Sequence, residues 1–149
     1  MEAFDDSYYM GIALDEARAA AAEGEIPVGA VVVAGGRILG KGHNRTERLR
    51  DVTAHAEMLA ISAAASLKGG KYLADATLYV TVEPCPMCAG AIGWAQIRRI
   101  VVGAPDTKRG FRAIVRTGAS PFHPKAVYTE GVRADECAAL MRSFFSSKR

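Results

Sequence analysis

The chain has 149 residues, half of them apolar and 23% charged, with a formal net charge of +3. That is enough chain to bury a core without staples, and the composition argues against disorder beyond a few residues at each end. Three cysteines, Cys85, Cys88 and Cys137, are too few for a disulfide framework and fit a reducing compartment. The start, from Met1 to Asp6, lacks the basic and apolar regions of a signal peptide. No apolar run nears the ~20 residues that span a bilayer, so a cytoplasmic location without a membrane is expected. The modest positive charge is compatible with a nucleic-acid partner but does not indicate one.

In chain order, Met10, Ala13, Leu14, Ala17 and Ala21 mark one apolar face of a helix over 7–23, with Ser7 as N-cap and Gly24 as stop. Residues 26–33 read as a β-branched strand buried on both faces. Gly35-Gly36 then turns a hairpin into a second strand over 37–42. A polar loop over 45–51 leads to a helix over 54–67. That helix is apolar almost all round, which places it in the core. Residues 77–82 form a strong strand. Pro86 sits at the first position of a helix running to about residue 96, where its missing N–H costs nothing. A short strand over 100–103, an irregular stretch over 104–124, a strand over 126–128 and a terminal helix over 134–145 complete the chain. On that last helix Cys137, Leu140, Met141 and Phe144 share a face. With no repeat and no linker, one domain over 1–149 is expected. A hairpin followed by alternating helices and strands predicts a layered α/β domain with a mixed sheet.

The chemistry concentrates in His55-Ala56-Glu57 and Pro84-Cys85-Pro86-Met87-Cys88. His55, Cys85 and Cys88 are three zinc-type ligands. Structural zinc sites are closed by four protein ligands, whereas catalytic sites use three and leave one position open. Glu57, two residues from His55, is placed to move protons at that open position. Both halves fall at strand-to-helix junctions, where ligands bind in open α/β sheets. Residues two apart on an ideal helix point roughly 200° apart. His55 and Glu57 therefore share a pocket only if the site lies off the end of the helix. Competing readings are a redox Cys-x-x-Cys pair, or a structural zinc site completed by His43, His123 or Cys137.

His-x-Glu followed by Pro-Cys-x-x-Cys is the signature of zinc-dependent deaminases. Within that superfamily the chain resembles the bacterial tRNA-specific adenosine deaminases. The likeness runs through residues 24–31, 42–45, 53–57, 77–85, 87–91, 129–131 and 134–140. The metal motif is specific to the superfamily only; the first and last blocks point to the tRNA enzymes.

The resemblance implies a three-layer α/β/α cytidine-deaminase-like fold with a mixed five-stranded central sheet, and one zinc ion per subunit on His55, Cys85 and Cys88. It implies hydrolytic deamination of adenosine to inosine at the wobble position of a tRNA anticodon arm, with Glu57 as the proton carrier. It further implies a homodimer. Asn44, Ile26, Val28, Ala56 and Asp106 match substrate-binding positions, and Arg45, Arg48, Lys108, Arg109 and Phe145 are candidate RNA contacts, with Arg50 and Arg112 in the same two loops as further candidates for phosphate. Taken alone, Asn44 would be a turn cap, Ile26 and Val28 ordinary strand core, and the arginines a solvated face. The chain departs from the family after Gly110, where Phe111 to Arg116 replaces small residues and a serine. Gly93-Trp94-Ala95 is similar to free-base guanine deaminases. A deaminase of a free nucleobase or nucleoside, guanine or cytidine, is therefore the alternative activity, and a non-catalytic zinc or RNA-binding protein the alternative class.

Overall fold

The computed structural model describes residues 4–148; Met1, Glu2 and Ala3 of the acidic start, and Arg149, lie outside the described residues. The elements are α1 (Asp6–Ala22), β1 (Gly29–Ala34), β2 (Arg37–His43), α2 (Thr46–Leu49), α3 (Ala56–Lys68), β3 (Thr77–Val82), α4 (Pro86–Trp94), β4 (Arg99–Ala104), α5 (Phe111–Ile114), β5 (Val127–Glu130) and α6 (Ala134–Ser147). The five strands form one sheet in the order β2-β1-β3-β4-β5. β1 pairs antiparallel with both β2 and β3, while β3, β4 and β5 run parallel. The sheet is mixed, as expected. No described helix is long and apolar enough to cross a membrane.

Helices cover both faces. On one face Tyr9, Met10, Ala13 and Leu14 of α1 and Cys137 of α6 pack against Val31, Val33, Tyr79 and Val101. On the other, Ala56, Ala60 and Ala64 of α3 and Ala89 and Ile92 of α4 pack against Ala30, Val32, Leu78, Val80, Ile100 and Val102. β1, β3 and β4 are thus buried on both faces, and their sequences are nearly continuous in apolar residues.

Several boundaries differ from the sequence reading. Asp5, not Ser7, caps α1: its side chain accepts the Tyr8 N–H at 2.9 Å. β1 begins at Gly29 rather than Ile26, because the Val28 N–H is turned back onto the Ile26 carbonyl. The hairpin turn stands as read, with both Gly35 and Gly36 at positive φ. Two short helices, α2 and α5, lie in stretches expected to be irregular. The helix expected to be core on all sides is buried on one face only. In α3 just Ala56, Glu57, Ala60 and Ala64 are buried, and Leu67 is 60% exposed. Trp94 at the end of α4 is 85% exposed.

α3 lies unusually close to β2 because that strand presents glycines to it. A Cβ on Gly42 would stand 2.6 Å from the Ala56 carbonyl oxygen and 2.8 Å from the Ala60 nitrogen. Gly42→Ala is therefore expected to cost about 1–3 kcal/mol in chemical denaturation, as overpacking does, and to lower zinc content, because it pushes the His55 end of α3 outward. At the far end of the sheet, Arg99 on β4 grips Asp6 of α1, Nη1 to Oδ1 at 2.6 Å, and the Tyr79 hydroxyl donates to the same Oδ1 at 2.8 Å. The Arg99 hydrogen bond holds the Asp6 carboxyl below its ordinary 3.8, against the opposing effect of burial and with help from Tyr79. A depressed carboxylate stabilises the fold above its unfolded pKa, and that contribution is lost as pH falls through the folded one. Asp6→Asn should cost about 1 kcal/mol at pH 7, after allowance for solvent screening of a partly exposed pair. Below pH 4 the stability curves of the two proteins should converge in urea titrations.

Candidate metal centre and substrate cleft

The cleft opens where β2, β3 and β4 end and α3 and α4 begin. His55 is the N-cap of α3 and Cys85 the N-cap of α4, both with extended backbone, and Pro86 occupies the first helical position. Cys88 follows in the first turn of α4 and is fully buried. The His55 Nδ1 lies 3.7 Å from Cys85 Sγ and 3.5 Å from Cys88 Sγ. A zinc ion with Zn–S near 2.3 Å and Zn–N near 2.0–2.1 Å in tetrahedral geometry requires an N-to-S edge of about 3.6 Å. The donor set fits the ion.

Among the described residues no fourth donor joins this group, whose ligating atoms all lie within 4.8 Å of one another. His43 is bound by Glu16 and Glu23, each at 3.1 Å. The His123 Nδ1 accepts the Lys125 N–H. Cys137 is buried against the opposite face of the sheet. None of the three expected candidates could close a structural site, so the coordination position facing the cleft stays open.

The electrostatics suit a cationic guest. The Cys85 thiol is held down to about 4, first by a hydrogen bond with Cys88 and then by His55, against the effect of burial. The Cys88 thiol is pushed up, first by Cys85 and then by burial. Zinc binds the deprotonated form of both sulfurs, so its binding would release protons from this pair. Glu57, in the first turn of α3, is 4% exposed, and burial pushes its carboxyl up to about 7. A group near neutrality can both take and return a proton.

The cleft encloses about 1020 Å³. Ile26, Val28, Asn44, Ala56 and Asp106 all line it with His55, Glu57 and Cys85, and so do Lys108, Arg109 and Phe145. Ile26 and Val28 precede β1 and are cleft wall, not strand core. Asn44 is buried, its N–H donating to the Val28 carbonyl and its Oδ1 accepting the Thr46 N–H at 3.4 Å. Asp106 Oδ1 accepts the N–H groups of Lys108 and Arg109. Arg45 and Arg48 do not reach the lining; Arg48 turns to Glu23, Nε to Oε1 at 3.5 Å. Sequence reasoning missed Val52, Met87, Ile114 and Met141, apolar side chains that also line the cleft. It also missed two buried carboxylates. Glu25 accepts the N–H groups of Glu47 and Arg48, and Glu83 accepts those of Asp106 and Arg112. Their sequence signal was a charged residue flanking an apolar strand, since charges are buried only when paired.

Comparison with known proteins follows this geometry. Residues 4–104 match the model of the cytidine and deoxycytidylate deaminase zinc-binding region. A tRNA-specific adenosine deaminase of Agrobacterium fabrum is 45% identical over 146 residues, covering 96% of this chain and 95% of that protein. The chain belongs to this zinc-binding deaminase family, in its tRNA-specific adenosine deaminase branch. A solved structure from a study of A-to-I editing by tRNA:A34 deaminases at the wobble position superposes with a TM-score of 0.84 at 43% identity. That match covers 90% of this chain and 99% of the other. A guanine deaminase from Nitrosomonas europaea superposes at 0.80 with 28% identity, over 94% and 84% of the two chains. The three-layer deaminase fold expected from the motif is the one observed, and zinc is the family's metal.

Replacing His55 with Ala or Cys88 with Ser should reduce zinc in the purified protein from one ion per chain to near zero, measured by mass spectrometry of the metal. The helical circular dichroism should be largely kept, because neither apolar cluster flanking the sheet includes His55, Cys85 or Cys88.

Proposed function

We propose that this chain hydrolytically deaminates adenosine to inosine at the wobble position of a tRNA anticodon, as one deaminase domain over residues 1–149. The observation that carries the reading is the three-donor set at the cleft floor with the buried Glu57 beside it. A non-catalytic zinc site has no use for an open position or for a carboxyl near neutrality. His55, Cys85 and Cys88 would hold the ion. When bound, zinc activates a water as nucleophile. Glu57 takes a proton from that water and passes it to the purine ring nitrogen as the oxygen attacks C6. Glu57, again a carboxylate, then takes the proton of the new C6 hydroxyl and passes it to the departing amine, so that the C6–N bond breaks as the C6 carbonyl forms, ammonia leaves and inosine remains. Asn44 has a side-chain amide that both donates and accepts, which suits a purine edge. Ile26, Val28 and Ala56 wall the base.

The cleft reaches the upper end of the ~300–1000 Å³ that serves a drug-sized ligand. It has room for the target nucleotide and its neighbours. Asp106, Lys108, Arg109 and Phe145 on its rim support contact with RNA, and Arg45 and Arg48 lie beyond it for phosphates. A homodimer belongs to the same reading, and Leu67 of α3 and Trp94 of α4 are exposed where a second copy could cover them. A cytoplasmic location belongs to the same reading, and the three free cysteines support it.

The test offers an anticodon stem-loop with adenosine at the wobble position, and in parallel free guanine, adenosine and cytidine. Inosine should form in the stem-loop alone. Glu57→Ala should lower kcat by about 10²–10⁴ with zinc retained. Turnover of guanine with an inert stem-loop would transfer the chain to the free-base reading.

A further inference from the structure

The cleft wall over 105–114 is anchored by one arginine. Glu83 follows β3 and precedes the metal-ligand segment, and its side chain is only 2% exposed. Its Oε1 accepts the Asp106 N–H at 3.2 Å and the Arg112 Nη2 at 2.9 Å. Its Oε2 accepts the Arg112 N–H at 3.2 Å and the Arg112 Nε at 3.3 Å. The same guanidinium reaches Glu130 at the end of β5, Nη1 to Oε1 at 3.3 Å and Nη2 to Oε2 at 2.5 Å. It lies over the Tyr128 ring, 5.4 Å from the centroid. The neighbouring Phe111 donates its N–H to the Pro84 carbonyl and packs edge-on against Phe122 and Tyr128. Gly110 has no side chain where Glu83 comes close: a Cβ there would clash with Glu83 Oε2 and stand 2.5 Å from the Asp106 carbonyl oxygen.

We propose that Arg112 is a positioning residue for substrate: forked between Glu83 and Glu130, it holds the 105–110 loop against the cleft wall. This rests on the deaminase reading above. The guanidinium is the only cationic side chain bonded to Glu83 among the described residues. A planar five-donor fork meets two carboxylates in a fixed geometry, where a lysine offers three donors on a flexible stem and no bidentate contact. Without it Glu83 keeps two backbone N–H groups and faces Glu130 with no charge between them. Removing the arginine leaves the buried Glu83 charge without its cation, although the Arg112 side of the pair is itself half-exposed. The consequence falls on Asp106, Lys108, Arg109 and Ile114, which line the cleft, and not on His55, Cys85 and Cys88.

The experiment compares Arg112→Ala, Arg112→Lys and Glu130→Gln with the parent chain, all zinc-loaded. Its readouts are kinetics on the wobble-adenosine stem-loop, zinc stoichiometry, and amide hydrogen exchange over 105–112. For Arg112→Ala we expect KM to rise about tenfold with kcat within about twofold, as loss of binding shared by ground and transition states requires. Zinc should stay at one per chain, and the backbone amides at positions 106 and 112 should exchange about tenfold faster. Lysine, keeping charge without the fork, should fall between parent and alanine. Glu130→Gln, at a more exposed position, should show a smaller rise. Unchanged KM and unchanged exchange would overturn the proposal. So would a fall in kcat together with zinc loss, which would make Arg112 a support of the Cys85 segment instead. If the parent chain leaves the stem-loop untouched, the tRNA reading fails, and the exchange comparison alone still decides whether the fork holds the loop.

Discussion

How closely α3 can approach β2 governs everything at the cleft floor. Side chains on a strand normally keep a helix about 10 Å away. Gly40 and Gly42 remove that spacer. A Cβ on Gly40 would meet the Ala60 carbonyl and the Ala64 nitrogen at 2.5 and 2.7 Å, so the helix backbone itself occupies the space. The helix answers with small residues on that face, Ala56, Ala60 and Ala64, all buried. Its first turn is thereby drawn to the end of the sheet where β3 delivers Cys85. His55, as an extended N-cap, then turns its ring off the end of the helix and not along its flank. That resolves the apparent conflict in a His-x-Glu pair, because Glu57 lines the same cavity from inside the first turn.

Helix ends also set the charge balance, though with opposite outcomes for sulfur and carboxyl. Free N–H groups at a helix N-terminus favour anions, typically by ~0.3–1 kcal/mol. The Cys85 thiolate gains from its partners and is stabilised. Glu57 sits at the same kind of terminus, yet its carboxyl rises from 4.5 to about 7. That rise corresponds to roughly 3 kcal/mol against the charged form, so desolvation outweighs the dipole. One site thus holds a thiolate ready for a cation and a carboxyl ready to exchange protons, because Cys85 has hydrogen-bond partners that outweigh its burial and Glu57 does not.

What could be read from the sequence follows the range of the interactions. The hairpin at Gly35-Gly36, the strand over 77–82 and Pro86 at the head of α4 were legible because each depends on its own residues. The metal ligands were legible because a three-donor set has few other uses. The extent of burial was not. α3 looked like a core helix from its composition, but only one face meets the sheet, and its remaining apolar residues stay half-exposed. Periodicity reports which residues avoid water and cannot tell a fold's own core from a surface kept for a partner.

The loops over 45–51 and 105–114 were illegible for a more specific reason. Each takes its shape from a carboxylate far away in sequence. Glu25 accepts the Glu47 and Arg48 N–H groups, and Glu83 accepts those of Asp106 and Arg112. Turn propensity cannot see such a partner, since it lies 22 or more residues distant. Glu83 directly follows β3 and Glu25 lies in the short link from α1 to β1; both are buried, so they carry the rigidity of the core into loops that have little core of their own. Substrate-facing segments can then vary in residue type while their backbone stays fixed. At 111 and 112 the Phe111 ring packs against Phe122, and the Arg112 guanidinium joins a carboxylate that also holds the loop through two backbone N–H groups.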